Sequence, residues 1–179
     1  MTPVTGSFVG NNPSAARRSR YPVWAWIAAP LCALFVQVYL PLFHTLRFAA
    51  TVDLPLLVTI YFALMRRSQI RGLTTGMLLG FAQDSFSQYY VGMFGLSKTL
   101  VGYFAASIGT QFDVENTLVR FFVCLVFYPF HQFLYWVLQR AVLDQAVDFD
   151  PLGHAIMAVV HAVLGILIFR LLDKLRIRE

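Results

Sequence analysis

Six stretches of the chain are predominantly apolar over lengths close to those that a membrane crossing requires. They cover residues 22–43, 50–65, 72–90, 94–111, 118–139 and 153–172. A helix needs about 17–25 mostly apolar residues to cross about 30 Å of hydrocarbon. The chain is 58% hydrophobic and only 13% charged, whereas soluble domains are about 45–50% apolar and about 25% charged. We therefore predict an all-α polytopic integral membrane protein with six transmembrane helices.

The second stretch is the weakest of the six, because Asp53 and Arg66 bracket only a short apolar segment. The placement of basic residues favours six crossings over five. With six crossings and a cytoplasmic N-terminus, all but three of the 14 lysines and arginines lie at the cytoplasmic side; the exceptions are Arg47, Lys98 and Arg140. Cytoplasmic loops carry such an excess of basic residues. Five crossings would move the basic cluster at 66–71 and the C-terminal cluster outside. We predict a multi-pass protein with both termini cytoplasmic.

The first 20 residues differ in composition from the rest of the chain. They are polar, rich in Gly, Pro, Ser and Asn, and end in three arginines. A secretory signal peptide would instead begin with basic residues and continue with a short apolar region. We predict a disordered cytoplasmic tail over residues 1–20 and a six-helix transmembrane domain over 21–179. The net charge of +5 then reflects membrane orientation, and we expect no nucleic-acid partner because no basic face of a soluble module is present.

The third and fourth stretches each carry small residues at every fourth position. The third has Gly72, Gly76 and Gly80 followed by Asp84, and the fourth has Lys98 followed by Gly102, Ala106 and Thr110. Residues four apart share one helix face, and small residues there let two helix backbones approach closely in lipid. We predict a tightly packed helical hairpin whose small-residue faces are candidates for helix packing or partner docking.

Asp84 and Lys98 are the charged members of these two faces. Asp84 lies about 18 Å along its helix from Gly72, and Lys98 lies about 6 Å into the next helix, at 1.5 Å per residue. Their depths in the hairpin are therefore similar, and we predict an ion pair near its outer end. Ionisable residues within membrane segments are functional candidates. A structural ion pair, a partner-docking site and a proton or substrate relay all remain open.

Motifs that carry chemistry are missing from the sequence. It has no glycine-rich phosphate loop after a strand, no nucleophile elbow and no zinc-protease helix. His154 and His161 share a face of the last stretch, but a metal site would need further ligands to converge on them. We expect them to be satisfied polar residues at helix contacts. We predict no enzymatic activity, no cofactor and no metal.

Part of the chain resembles a known bacterial family. Asp53 begins DLPLLVTIYFAL, a basic turn follows, and Gly72, Gly76, Gly80 and Asp84 then precede Gly92, Gly95, Lys98 and Gly102. Over residues 53–104 this order resembles the rod shape-determining protein MreD family. The resemblance implies a fold similar to the substrate-binding membrane subunit of energy-coupling-factor transporters. It also implies a place in the bacterial inner membrane and a non-enzymatic scaffold role in cell elongation and lateral peptidoglycan synthesis.

The resemblance implies protein partners as well as the lipid bilayer. These are MreC and, through it, the actin-like MreB, RodA and penicillin-binding protein 2. The small-residue faces fit a second function equally well, that of a membrane transporter subunit that binds a small, vitamin-like molecule with Asp84 and Lys98 lining its cavity. Such a subunit is expected to enclose a polar pocket that is reached from outside.

Overall fold

The structure, a computed structural model, describes residues 22, 24–39, 51–87, 90, 92–144 and 150–175. Within these residues the chain forms six α-helices: α1 (Ala25–Tyr39), α2 (Leu54–Arg66), α3 (Gln69–Phe86), α4 (Met93–Gln111), α5 (Thr117–Leu143) and α6 (Pro151–Asp173). Each helix overlaps one of the six predicted stretches, so the all-α prediction is confirmed for this part of the chain. The predicted tail at residues 1–20 lies outside the described residues.

Two helices begin with the same combination of an aspartate cap and an early proline. The Asp53 side chain accepts a hydrogen bond from the amide of Leu56, and the Asp150 side chain accepts one from the amide of Gly153. An oxygen at the cap position satisfies an amide that has no partner within its own helix. Proline is tolerated in the first turn because its missing N–H would have no partner there. In both cases the helix begins directly after the aspartate, α2 at Leu54 and α6 at Pro151.

Successive helices run up and down. Gln37 near the end of α1 contacts the start of α2, while the ring of Trp26 near the beginning of α1 packs against that of Phe62 near the end of α2. As a result, one end of the bundle collects most of the described basic residues. We call it the basic end; it carries Arg66, Arg67, Arg71, Arg120, Arg170 and Lys174.

The α2 helix lies at the centre of the bundle. Every residue from Pro55 to Leu64 is buried, and α2 packs against each of the other five helices. Its 13 residues extend only about 20 Å at 1.5 Å per residue, which is less than the hydrocarbon thickness. Among the described helices, α5 and α6 are long and apolar enough to cross a membrane, whereas α1 and α2 are shorter apolar helices.

Candidate functional site

The small-residue faces of α3 and α4 lie directly against each other. A side-chain carbon built on Gly72 would overlap the carbonyl oxygen of Gly102 and approach the side chain of Ala106 to 2.8 Å. One built on Gly76 would overlap the carbonyl oxygen of Lys98, and one built on Gly80 would overlap that of Phe94. The obstructing atoms are mostly backbone, which cannot rotate away. The hairpin therefore depends on glycine at these positions.

Asp84 has a different role from the predicted one. One of its carboxylate oxygens accepts hydrogen bonds from the amides of Gly92 at 3.0 Å and Gly95 at 2.8 Å, and the other accepts from the amide of Phe94 at 3.1 Å. The side chain is thus a buried cap on the first turn of α4, where unpaired amides and the helix dipole favour a negative charge. This cap closes the α3–α4 hairpin across the connection between the two helices.

The ion pair predicted between Lys98 and Asp84 is wrong. Lys98 instead binds Asp53, with 2.5 Å between the Lys98 Nζ atom and the Asp53 Oδ2 atom. A second hydrogen bond of 2.7 Å joins Lys98 Nζ to the Oε1 atom of Gln83. The sequence argument compared only depths within one hairpin. It missed a carboxylate that the start of α2 brings to the same place, as well as Gln83, the residue directly before Asp84.

The buried start of α2 obtains its hydrogen-bond partners from three other helices as well as its own cap. The amide of Asp53 donates to the Nε2 atom of His161 on α6 at 3.0 Å, and the amide of Leu54 donates to Gln37 on α1 at 3.0 Å. Pro55 has no amide hydrogen, and Asp53 caps Leu56. Lys98 on α4 then neutralises the cap itself. A helix can begin in the interior of a membrane protein only when such partners replace water.

The polar side chains around the start of α2, which include His131 on α5, lie far from both ends of the longest helices. His161 is about 15 Å from the start of α6, and His131 is about 18 Å from the end of α5, at 1.5 Å per residue. The Lys98 side chain is fully buried and the Asp53 side chain is 13% exposed. We call Asp53, Gln83, Lys98, His131 and His161 the central polar cluster.

The two histidines of the cluster are held differently. His161 donates from Nδ1 to the carbonyl of Met157 at 2.8 Å, because its Nε2 atom already accepts the Asp53 amide. It is therefore the satisfied contact residue that the sequence predicts, and the ring of Tyr128 stacks on it with 3.8 Å between centroids. His131 lies with its Nε2 atom 4.0 Å from Asp53 Oδ2. Neither of its ring nitrogens has a hydrogen-bond partner among the described residues.

A second ion pair lies near the basic end. Arg120 at the start of α5 binds Asp173 at the end of α6 at 2.5 Å, and the hydroxyl of Tyr61 on α2 donates to Asp173 at 2.7 Å. The guanidinium also donates through Nε to the carbonyl of Val114 at 2.6 Å. The sequence analysis used Arg120 only as an indicator of orientation, and no pattern pointed to its partner 53 residues later.

The chemistry available to the central polar cluster is limited by its internal pairing. Its only two charged side chains bind each other, and Gln83 takes a second Lys98 hydrogen. Among the described residues, no group of three or more His, Cys, Asp or Glu side chains could hold a metal ion. The arrangement is suited to fixing α2, α3, α4 and α6 relative to one another.

Comparison with known proteins gives no match to a family model, to a curated protein or to a solved structure.

Proposed function

We propose that the chain is a six-span integral membrane protein that serves as a non-enzymatic scaffold in the bacterial cell-elongation machinery. The membrane part of this proposal has its own physical support. The scaffold part rests on the resemblance of residues 53–104 to the MreD family, together with the internal pairing of the buried charges.

The distribution of side chains is the observation that carries the membrane proposal. Three charged residues, Asp84, Lys98 and Arg120, are buried inside the bundle. Large apolar side chains cover the outside of the helices instead, including Phe35, Leu78, Phe104, Phe122, Ile156 and Leu167. A soluble monomer rarely exposes extended apolar surface. Ionisable residues in membrane helices, in contrast, face the bundle interior and pair with one another.

The basic end supports the orientation. Six described arginines and lysines lie there, whereas Lys98 and Arg140 lie toward the opposite end. Basic residues accumulate on the cytoplasmic side of membrane proteins. We place the basic end in the cytoplasm of a bacterial inner-membrane protein.

The paired charges favour a scaffold over a relay. A relay needs a group that exchanges its partner, whereas Lys98 is held by both Asp53 and Gln83, and both oxygens of Asp84 bind amides of α4. The scaffold would bind MreC and connect it to MreB, RodA and penicillin-binding protein 2, as the resemblance implies. In this proposal the chain carries out no chemistry itself and serves as a structural link between these partners.

One specific observation keeps the second function, a transporter subunit that binds a small molecule, in view. The buried His131 ring has unmatched polar atoms within a cluster that is partly open at Asp53. A small polar ligand could form hydrogen bonds with these ring nitrogens. The two functions predict different partners, so they can be separated directly.

Co-purification from the native membrane tests the scaffold. We would tag the C-terminus, extract the protein in a mild detergent and identify what accompanies it, with an unrelated six-span protein carrying the same tag as control. The proposal predicts a single-span MreC-like protein together with peptidoglycan synthases. ATPases and a bound small molecule would support the transporter function and contradict the scaffold.

A variant pair tests whether the fold of the hairpin matters for the complex. Gly76→Leu would push α3 from α4, whereas Leu78→Ala changes a side chain that is 67% exposed on the same helix. We expect Gly76→Leu to lose the single-span partner at equal membrane abundance and Leu78→Ala to retain it. Retention of the partner by both variants would contradict a role for the hairpin.

A further inference from the structure

The His131 side chain is the starting point, because it is buried without hydrogen-bond partners. The residue is 1% exposed, and both ring nitrogens lack a partner among the described residues. A neutral imidazole has one donor and one acceptor. Buried polar groups in proteins are matched by protein or by ordered water in the great majority of cases. The Nε2 atom of the ring lies 4.0 Å from Asp53 Oδ2, and the ring stacks on Phe94 with 6.0 Å between centroids.

The neighbouring Asp53 provides evidence of access. Its side chain is 13% exposed although its partner Lys98 is fully buried. A carboxylate exposed to hydrocarbon would be very unfavourable, because no group there can solvate it. The surface that reaches Asp53 must therefore be polar if the bundle lies in a membrane.

A line of polar side chains continues from this point between α5 and α6, away from the basic end. Tyr128 stacks on His161, and its hydroxyl accepts a hydrogen bond from Gln132 one turn further along α5, at 3.2 Å. The ring of His154, near the start of α6, lies 6.5 Å from Tyr128. Gln132 and His154 are both half-buried, so the line begins near the surface and ends inside.

We propose that these side chains line a narrow hydrated crevice that opens at the end opposite the basic end and terminates at His131. The molecule it admits is water, which is small, neutral and able both to donate to and to accept from an imidazole. Each water in a buried polar site typically makes about three hydrogen bonds. At His131 the available partners are its own ring nitrogens and the third hydrogen of Lys98 Nζ, which Asp53 and Gln83 leave unused.

Cysteine accessibility tests the crevice in the full chain. Cys32 and Cys124 are first replaced by alanine, and single cysteines are then placed at Gln132 and at its neighbour Phe133. Phe133 has the same depth but is 49% exposed on the outer surface of α5. A charged methanethiosulfonate reagent reacts with the thiolate, which forms in water and not in lipid. We expect Gln132→Cys to react at least about tenfold faster than Phe133→Cys.

Equal, slow labelling at the two positions would overturn the crevice. The crevice is argued within the proposed membrane topology, so the reagent is applied both to intact cells and to inverted vesicles. Fast labelling of Gln132→Cys in intact cells supports both the crevice and the proposed orientation. Fast labelling only in inverted vesicles supports the crevice and overturns the orientation.

A second measurement addresses His131 itself. The protein is labelled with ¹⁵N-histidine and reconstituted in lipid nanodiscs, and the His131 signals are assigned by their loss in His131→Gln. A hydrated ring should show magnetisation transfer between its N–H and water. Absence of that transfer at His131, with transfer present at the half-buried His154, would contradict the proposal.

Discussion

Two ion pairs among the described residues have the same length and different surroundings. Lys98–Asp53 and Arg120–Asp173 are each 2.5 Å long. The Lys98 side chain is fully buried and Asp53 is 13% exposed, whereas Arg120 is 7% and Asp173 is 28% exposed. The first pair lies among the middle turns of α5 and α6, and the second joins their ends. Loss of a partner should therefore have very different consequences in the two places.

The difference shows what each pair contributes. Asp53 caps α2 deep inside the bundle and Lys98 neutralises the charge of that cap, so the central pair makes the buried start of a short helix possible. Asp173 is the last residue of α6 and is followed by Lys174. Its partner Arg120 lies near the same end of the bundle, where a long side chain can extend toward water. We therefore expect the central pair to contribute more to the stability of the fold than the pair near the basic end.

The largest effect is expected for Lys98→Ala. It leaves the Asp53 carboxylate inside the bundle without its cationic partner, and breaking a buried pair in this way costs about 3–5 kcal/mol. The free energy of unfolding in lipid nanodiscs, measured with a chemical denaturant, gives the loss. A change below about 1 kcal/mol, the scale of an exposed pair, would contradict the central position of Lys98.

Gly76→Leu should follow, because it displaces the backbone of Lys98 itself. The added side chain would overlap the Lys98 carbonyl, and we expect a loss of about 3 kcal/mol, the upper end of the usual range for overpacking. Thermal unfolding in the same nanodiscs measures it. Ala155→Leu on the exposed surface of α6 adds nearly as much bulk, one carbon less, at a position open to the outside and should leave the melting temperature nearly unchanged. A similar loss in both variants would show that bulk alone is responsible.

Asp84→Ala should have an intermediate effect of about 2 kcal/mol, at the upper end of the range for helix caps. It removes the acceptor of three amides at the start of α4. Asp150→Ala removes an exposed cap with one amide partner and provides the matched comparison by the same unfolding assay. Should Asp150→Ala prove the more costly of the two, burial would not be what gives the Asp84 cap its strength.

The smallest effect is expected for Asp173→Ala, at about 1 kcal/mol, because the Arg120 side chain that it leaves unpaired lies in the first turn of α5 and can extend to water at the end of the bundle. Arg120 keeps its hydrogen bond to Val114, and Tyr61 loses its acceptor. The ratio of this loss to that of Lys98→Ala is the informative quantity. A loss as large as that of Lys98→Ala would remove the distinction between the two pairs.

The positions of the helices follow from the sequence because they depend on local patterns. Apolar stretches placed six helices, and Asp150–Pro151 marked the start of α6. The four-residue spacing of Gly72, Gly76 and Gly80 predicted which face of α3 packs closely, since that face is a property of one helix. These features need no knowledge of how distant parts of the chain meet.

The partners within the central polar cluster depend on tertiary structure, which the sequence does not display. Asp53 and Lys98 are separated by 45 residues, and their contact requires α2 to begin inside the bundle. The comparison of depths along α3 and α4 favoured Asp84 as the partner of Lys98, because it considered only the residues of that hairpin. It also ignored the amides at the start of α4, which are nearer competitors for a carboxylate. His131 had no distinguishing neighbour in sequence, so its burial beside Asp53 appeared only with the fold.

The most direct test of the account is a pair of double-mutant cycles that share Lys98→Ala. One combines it with Asp53→Ala and the other with Asp84→Ala, and the free energy of unfolding is measured for each single and double variant. Residues in direct contact show coupling energies of about 0.5–3 kcal/mol. We predict coupling near the upper end of that range between Lys98 and Asp53, and a much smaller value between Lys98 and Asp84. The reverse order would contradict the central polar cluster as described.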